Sequence, residues 1–262
     1  MVLRQVTSRD NPLVKRLRLL SESSRARREA AETLLDGAHL LTAALQAGIE
    51  LKELVLSEQG LQSAEIAALM ERLPDVPATL LPDVLFARVS PVDTPSGLLA
   101  LIDIPQPAPA ALGNTVVVLD GVQDPGNLGT ILRTAAAAGV EDVLLTRGCT
   151  QAWSPRALRA GMGGHFRLRL REHVEAAEAL AGWSGSILAT ALGRNSQELY
   201  ALDLKRPTAW LFGAEGSGLS PEVAALATEQ VRIPMPGEVE SLNVGAAVAV
   251  CLFEQLRQRR VG

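Results

Sequence analysis

Aromatic side chains are scarce: Phe, Trp and Tyr together make up 3% of the 262 residues. The interior must then be filled by Ala, Leu and Val, and a hydrophobic fraction of 47% is enough to fill it. Aliphatic layers of this kind suit an α/β architecture. Cysteine is nearly absent. Cys149 and Cys251 lie far apart in apolar surroundings, which predicts free buried thiols rather than a disulfide and fits a reducing cytoplasm. The only histidines are His39, His165 and His173, and none has metal-ligand spacing, so no metal site is expected. No apolar run approaches the roughly 18 consecutive residues of a membrane-spanning helix, and none is expected to span one.

Charge is unevenly distributed. The chain totals −4, yet residues 1–28 hold eight basic residues against Asp10 and Glu22, a local +6 that leaves −10 for the rest. Arg16, Arg18, Arg25, Arg27 and Arg28 are the densest part of this segment. Positive charge concentrated on an acidic chain points to a polyanion such as RNA. An Arg- and Ser-rich targeting segment and a merely solvated helix face are the other readings of the same residues. The helical spacing of Leu13, Leu17 and Leu20 continues into folded-looking sequence, and no secretory apolar core is present.

Residues 11–48 read as helices, opened by Asn11-Pro12 as cap and first position and closed by Gly48. "LKELVLSE" (51–58) reads as a strand, followed by a helix to Leu73, and "GLLALIDIP" (97–105) reads as a buried strand. The Pro- and Ala-rich stretch that follows has few reasons to pair in a sheet, which places a linker at 106–113 between domains at 1–105 and 114–262. Beyond it, apolar runs at 115–122, 140–146, 166–170, 186–192, 209–215 and 230–235 alternate with helical segments. That rhythm predicts βα repeats and a mainly parallel sheet.

Ligands of such sheets gather at the carboxyl ends of strands. Three Gly-rich polar segments fall there: "DGVQDPGNLGTILRTAAAAG" (120–139), "LFGAEGSGLSPE" (211–222) and "IPMPGEVESLNVGAAVAVCLFE" (233–254). Ser220-Pro221 should start a helix, and Ser241 or Asn243 should open a long apolar one. Familiar nucleotide signatures are missing. "GNLGTI" lacks the Lys-Ser/Thr pair of a phosphate loop, "GAEGSG" has the wrong spacing for a dinucleotide fingerprint, and no G-x-S-x-G elbow occurs. The glycines serve another ligand, or only turns.

In order and spacing these three segments resemble the signature motifs of the SpoU (TrmH-like) family of RNA ribose 2′-O-methyltransferases, over roughly 112–262. "AGMGGHFRLRL" (160–170) is similar to the family's small-residue turn before a strand. "SRDNPLVKRL" and "LLDGAHLLTAALQAG" resemble, more weakly, the RNA-binding domain of ribosomal-protein type that precedes the catalytic domain in many members, with Asp36-Gly37 where members often carry Glu-Gly. The resemblance implies a SPOUT-type α/β domain with a deep trefoil knot, preceded by a smaller α/β RNA-binding domain. It implies a homodimer and S-adenosylmethionine held by the loops after Leu192, Gly213 and Ile233, with Leu242 beside it. It also implies that Asn127, Arg133, Glu215, Ser241 and Asn243 surround the acceptor ribose, without metal.

Each of these residues also has a plain structural reading. Asn127 and Ser241 could cap helices, Arg133 could be a solvated helix residue and Glu215 a turn carboxylate, while His165, Met162 and Trp210 read as packing. The leading expectation is S-adenosylmethionine-dependent 2′-O-methylation of structured, chiefly ribosomal RNA. A transfer-RNA enzyme, a non-catalytic RNA-binding factor and a small-molecule α/β enzyme are the competing readings. Intact Asn127, Arg133 and Asn243 weigh against the second, and the basic N-terminus against the third.

Overall fold

The computed structural model describes residues 3–92, 94–108, 110–191, 196–237 and 239–261. In chain order the first part contains β1 (Leu3–Gln5), α1 (Pro12–Glu22), α2 (Ser24–Ala30), β2 (Glu32–Asp36), α3 (Ala38–Gln46), β3 (Glu53–Ser57), α4 (Ala64–Glu71), β4 (Ala78–Leu81), α5 (Asp83–Val89) and β5 (Leu98–Asp103). The rest contains β6 (Thr115–Asp120), α6 (Pro125–Ala137), β7 (Asp142–Leu145), α7 (Pro155–Gly161), β8 (Arg169–Arg171), α8 (Ala176–Ala179), β9 (Ser186–Thr190), β10 (Gln197–Glu198), β11 (Thr208–Gly213), α9 (Pro221–Ala224), β12 (Glu229–Arg232) and α10 (Val244–Val261). Two compact units result. The first comprises Met1–Pro105 with Trp153–Phe166, and the second Gln106–Ala152 with Arg167–Gly262. The segment holding α7 thus groups with the first unit, although the sequence places it inside the 114–262 stretch. A physical reason is visible there: the Thr33 hydroxyl of β2 donates to the Trp153 carbonyl at 2.7 Å. Positions 106–113 carry no helix or strand among their described residues.

The first unit is a five-stranded mixed sheet, β1-β4-β3-β5-β2, in which β5 runs antiparallel to both neighbours. Leu17, Leu20, Leu34, Val55, Phe86 and Leu99 meet in its core. Asn11 caps α1 as expected, its side chain accepting from Leu13 N–H at 2.9 Å. The reading of 11–48 as helices throughout misses β2. Ala31 at φ +52° ends α2, Gly37 at φ +93° precedes α3, and the "TLL" between them is buried against β5. One β-branched residue, Thr33, and two bulky apolar ones, Leu34 and Leu35, between two left-handed positions satisfy their backbone better across a sheet than in one isolated turn. Buried Glu32 of β2 binds Arg16 and Lys52. Arg27 is corrected more sharply. Its guanidinium is buried and donates to the carbonyls of Leu20 at 2.6 Å and Ser21 at 3.3 Å, so it closes the α1–α2 corner instead of facing RNA.

The second unit is a seven-stranded sheet, β10-β12-β9-β11-β6-β7-β8, with every pair parallel. Strands covered on both faces read as continuous apolar runs, which is why "TVVVL" and "AWLF" were legible. Val116, Val118, Leu144 and Leu211 point to one face and pack with Ala176, Leu180 and Val223. On the other face Trp210 is fully buried, stacks with Phe212 at 6.0 Å and donates its indole N–H to Gln255 of α10 at 3.1 Å. His165 is buried, as expected of a packing residue, whereas Met162 is 42% exposed at φ +47°. Met162 follows the last turn of α7 in a left-handed cap, which turns its side chain to solvent.

Gln255 ties α10 to the sheet, accepting from Trp210 and donating to the Leu204 carbonyl at 3.3 Å, both buried. Gln255→Leu keeps the bulk and strands both partners. It should cost about 1–3 kcal/mol in urea unfolding followed by tryptophan fluorescence. An unchanged midpoint would show that α10 is held without this amide.

Candidate active site

β6 and β11 are neighbours in register, with Asp120 opposite Gly213 at their carboxyl ends. The loops that follow therefore leave the sheet side by side. Buried Asp120 fastens them: it accepts from the Thr146 hydroxyl at 2.8 Å, after β7, and from Ser220 N–H at 2.7 Å, after β11. Ser220 then caps α9 with Pro221 at its first position, as the sequence suggested. The second loop folds on itself through Ala214 N–H to Gly218 at 3.0 Å and Gly218 N–H to Ala214 at 2.9 Å. Gly213 is obligatory there, since a Cβ would lie 2.1 Å from the Gly218 carbonyl carbon.

After β6 the helix cap is Asp124, whose carboxylate accepts from Asn127 N–H at 2.7 Å, with Pro125 next. Asn127 is therefore not the cap, and its side chain is free for other work. Its amide nitrogen donates to Glu215 in the folded loop after β11. Its amide oxygen accepts from Asn243 Nδ2 at 2.9 Å. Asn243 in turn caps α10, its oxygen accepting from Gly245 N–H at 2.9 Å and Ala246 N–H at 3.4 Å. Asn243, not Ser241, opens the helix. One hydrogen-bonded chain, Glu215–Asn127–Asn243, thus joins all three Gly-rich segments. An acceptor-only carboxylate at one end and backbone donors at the other fix the orientation of both amides. Each amide nitrogen keeps a second hydrogen, and Glu215 keeps a second oxygen, so the chain can both donate to and accept from a hydroxyl.

Beside it lies a cavity of about 400 Å³, in the range of small-molecule sites. It sits at the ends of β9, β11 and β12 and the start of α10, where parallel sheets bind ligands. Gly213, Glu215, Ile233, Ser241 and Leu242 all line it, with Thr190, Phe212 and Met235, which the sequence did not single out. Ser241 is exposed, and its hydroxyl has no partner among the described residues. Leu192 lies outside the described residues. The wall at Ala191, Ala214 and Gly216 is small-sided, and Ile233 and Leu242 add apolar surface. A flat heteroaromatic ring with a polar tail fits such a lining.

Arg133 stands apart from the cavity. Asn127, Thr130 and Arg133 form an i, i+3, i+6 ridge along α6, so Arg133 is about 120° round the axis from Asn127. Thr130 fills the middle of that ridge against α10, its methyl 3.4 Å from where a Cβ on Gly245 would be. Arg133 is exposed and makes no hydrogen bond or ion pair with any described residue. Asp120, Asp124 and Thr130 are thus supporting residues that sequence reasoning missed. All three sit inside the quoted motif, but only the strand register reveals what they hold. No group of His, Cys, Asp or Glu among the described residues could hold a metal ion. Among the described residues no helix is long and apolar enough to cross a membrane. Cys251 is buried, and its thiol is pushed up to about 12 by desolvation.

Residues 114–253 match the model of the SpoU rRNA Methylase family, and residues 11–100 match that of an MRM3-like substrate binding domain. An uncharacterised tRNA/rRNA methyltransferase of Synechocystis is 37% identical over 97% of this chain and 94% of its own length. A 23S rRNA guanosine 2′-O-methyltransferase of Bacillus subtilis is 27% identical over 96% of this chain and 98% of its own. The crystal structure of an AdoMet-bound rRNA methyltransferase from Sinorhizobium meliloti superposes with a TM-score of 0.81 at 31% identity, covering 97% of this chain and 98% of that one. The motifs, the cavity at the strand ends and the match over more than half of the sequence agree, and the chain belongs to the SpoU rRNA methylase family.

Proposed function

We propose that this protein is an RNA methyltransferase that uses S-adenosylmethionine to methylate a ribose 2′-hydroxyl, with ribosomal RNA as substrate. The observation that carries this reading is the Glu215–Asn127–Asn243 chain at the edge of the cavity. The relatives' activities and the substrate-binding match at 11–100 support it. Gly213, Ala214, Ile233 and Leu242 would hold S-adenosylmethionine, which would supply an electrophilic methyl on sulfur. Leu192 and the knotted threading of the C-terminal part belong to the same proposal by resemblance.

The chain's own residues prepare the nucleophile. The spare amide hydrogens of Asn127 and Asn243 and the free oxygen of Glu215 orient the 2′-hydroxyl, and Ser241 offers a further donor. Arg133 cannot serve as a base, because a guanidinium stays protonated. It binds the phosphate next to the acceptor ribose and stabilises the oxygen as its proton leaves to that phosphate or to water. Arg16, Arg18, Arg25 and Arg28 contribute to RNA contact, without Arg27. The chain works as a homodimer, a reading supported by the exposed apolar Phe253 and Leu242 on α10 and the segment leading into it. Two free thiols support a reducing compartment such as the cytoplasm. Light scattering at micromolar concentration should give twice the mass of the chain. The mass of a single chain would remove the dimer.

A ribose-methylated nucleotide cannot use its 2′-oxygen in alkaline cleavage. Treated RNA should therefore show one missing band in a hydrolysis ladder. Arg133→Ala should remove that gap with cofactor affinity by calorimetry within about twofold of wild type, because Arg133 lies outside the cavity. Asn127→Ala should lower the rate by about 10²-fold or more, the cost of losing an oriented donor and releasing Glu215 and Asn243. Methylated RNA that still cleaves at the modified nucleotide would place the methyl on a base and sink this reading.

A further inference from the structure

Within the basic N-terminal run Arg16 pairs with buried Glu32 and Arg27 with backbone carbonyls, while Arg25 and Glu29 form an exposed pair on α2 and the Arg28 side chain has no partner among the described residues. A groove between α1 and α5, of about 620 Å³, is different. Its floor is apolar, made by Val14 of α1 and by Leu85 and Val89 of α5. Its rim carries four cations, Arg9 before α1, Lys15 and Arg18 on α1 and Arg88 on α5, against two carboxylates, Asp10 and Glu22. Arg9 and Arg88 are exposed and have no hydrogen-bond or ion-pair partner among the described residues. Lys15 and Arg18 keep only exposed pairs, with Asp10 at 3.3 Å and Glu22 at 3.0 Å. Such pairs are weak and yield readily to a stronger anion.

We propose that this α1–α5 groove seats the phosphodiester backbone of the RNA, with Arg9 and Arg88 on phosphates and the apolar floor under a ribose or base. The proposal rests on the RNA-methyltransferase reading and adds a binding surface to it. Planar guanidinium forks match phosphate oxygens, and Val and Leu side chains can pack against sugar and base faces but offer nothing to a second charge. Positive charge focused in a groove of an otherwise acidic protein also concentrates a polyanion there. Arg88 lies far beyond the basic N-terminal run in sequence and joins it only because α5 packs beside α1.

The test uses the full chain and a fluorescein-labelled RNA hairpin, with affinity measured by anisotropy across a sodium chloride series. Arg9→Ala/Arg88→Ala should weaken binding at least tenfold at low salt. It should also reduce the slope of log affinity against log salt by about 1.5 to 2, one counterion per lost phosphate contact. Arg72→Ala, an exposed cation at the end of α4, should leave the slope unchanged. Calorimetric S-adenosylmethionine binding should be the same in all three proteins. A wild-type slope in the double variant overturns the groove while leaving the enzyme reading intact. Wild-type protein that binds S-adenosylmethionine but no RNA overturns both. If the double variant loses affinity for polyglutamate but not for RNA, the groove is a protein-docking surface and the proposal fails.

Discussion

The parallel register of β6 and β11 is the constraint on which the rest of the site depends. Because Asp120 stands opposite Gly213, two loops that are 88 or more residues apart in sequence begin at the same height on the sheet. A shift of one position would turn every side chain of the strand to the other face, so burial on both faces holds this alignment firmly. Gly213 then lets the second loop fold back within contact distance of its own backbone, and Asp120 pins the start of α9. What reaches Asn127 across this arrangement is a carboxylate already placed, with little loop entropy left to lose when a ligand arrives.

The hydrogen-bonded chain built on that frame is also electrically directed. Glu215 can only accept and the first N–H groups of α10 can only donate, so Asn127 and Asn243 are each allowed one orientation. Primary amides that would otherwise sample two flips are held in one, each with a spare hydrogen, beside a carboxylate with a spare oxygen. Preorganised donors of this kind act without reorganising during reaction, which is where much of their catalytic worth arises. The end of α10 far from the site is fixed as firmly. Arg259 binds Thr115 and the Arg206 carbonyl, and Gln258 binds Leu204 N–H and the Leu202 carbonyl.

How much of this the sequence discloses depends on how local the cause is. The parallel strands are legible because burial on both faces writes them as unbroken aliphatic runs. The caps at Asn11 and Ser220 are legible because capping acts over three residues. β2 is not, since its stability comes from pairing with β5, some 65 residues on, while its composition suits a helix. Arg27 illustrates the same limit. In the sequence it is one more positive charge in a basic run, and only the corner between α1 and α2 turns it into a buried donor to carbonyls. Asn127, Glu215 and Asn243 were found by resemblance of whole motifs, yet the reason they occur together, one amide chain, is visible only when three distant segments are placed on one sheet edge.

The cations of the second unit sharpen the assignment of Arg133. Arg169 forks onto buried Asp142, Arg232 binds Glu198, Arg257 binds Glu254 and Arg259 binds backbone carbonyls, so each of these guanidiniums completes a structure. Arg133 completes nothing within the described residues, although it follows Thr130 on the ridge that begins at Asn127. A guanidinium cannot shed its charge to become comfortable in isolation, and folding stability does not require it at an exposed helix position. Arg167, Lys205, Arg206 and Arg260 of the same unit are equally without a side-chain partner among the described residues, so it is the place of Arg133 on the ridge that begins at Asn127, and not its isolation, that marks it. The geometry sets two features apart: the cavity at the strand ends, and an unpaired guanidinium on the outer face of α6.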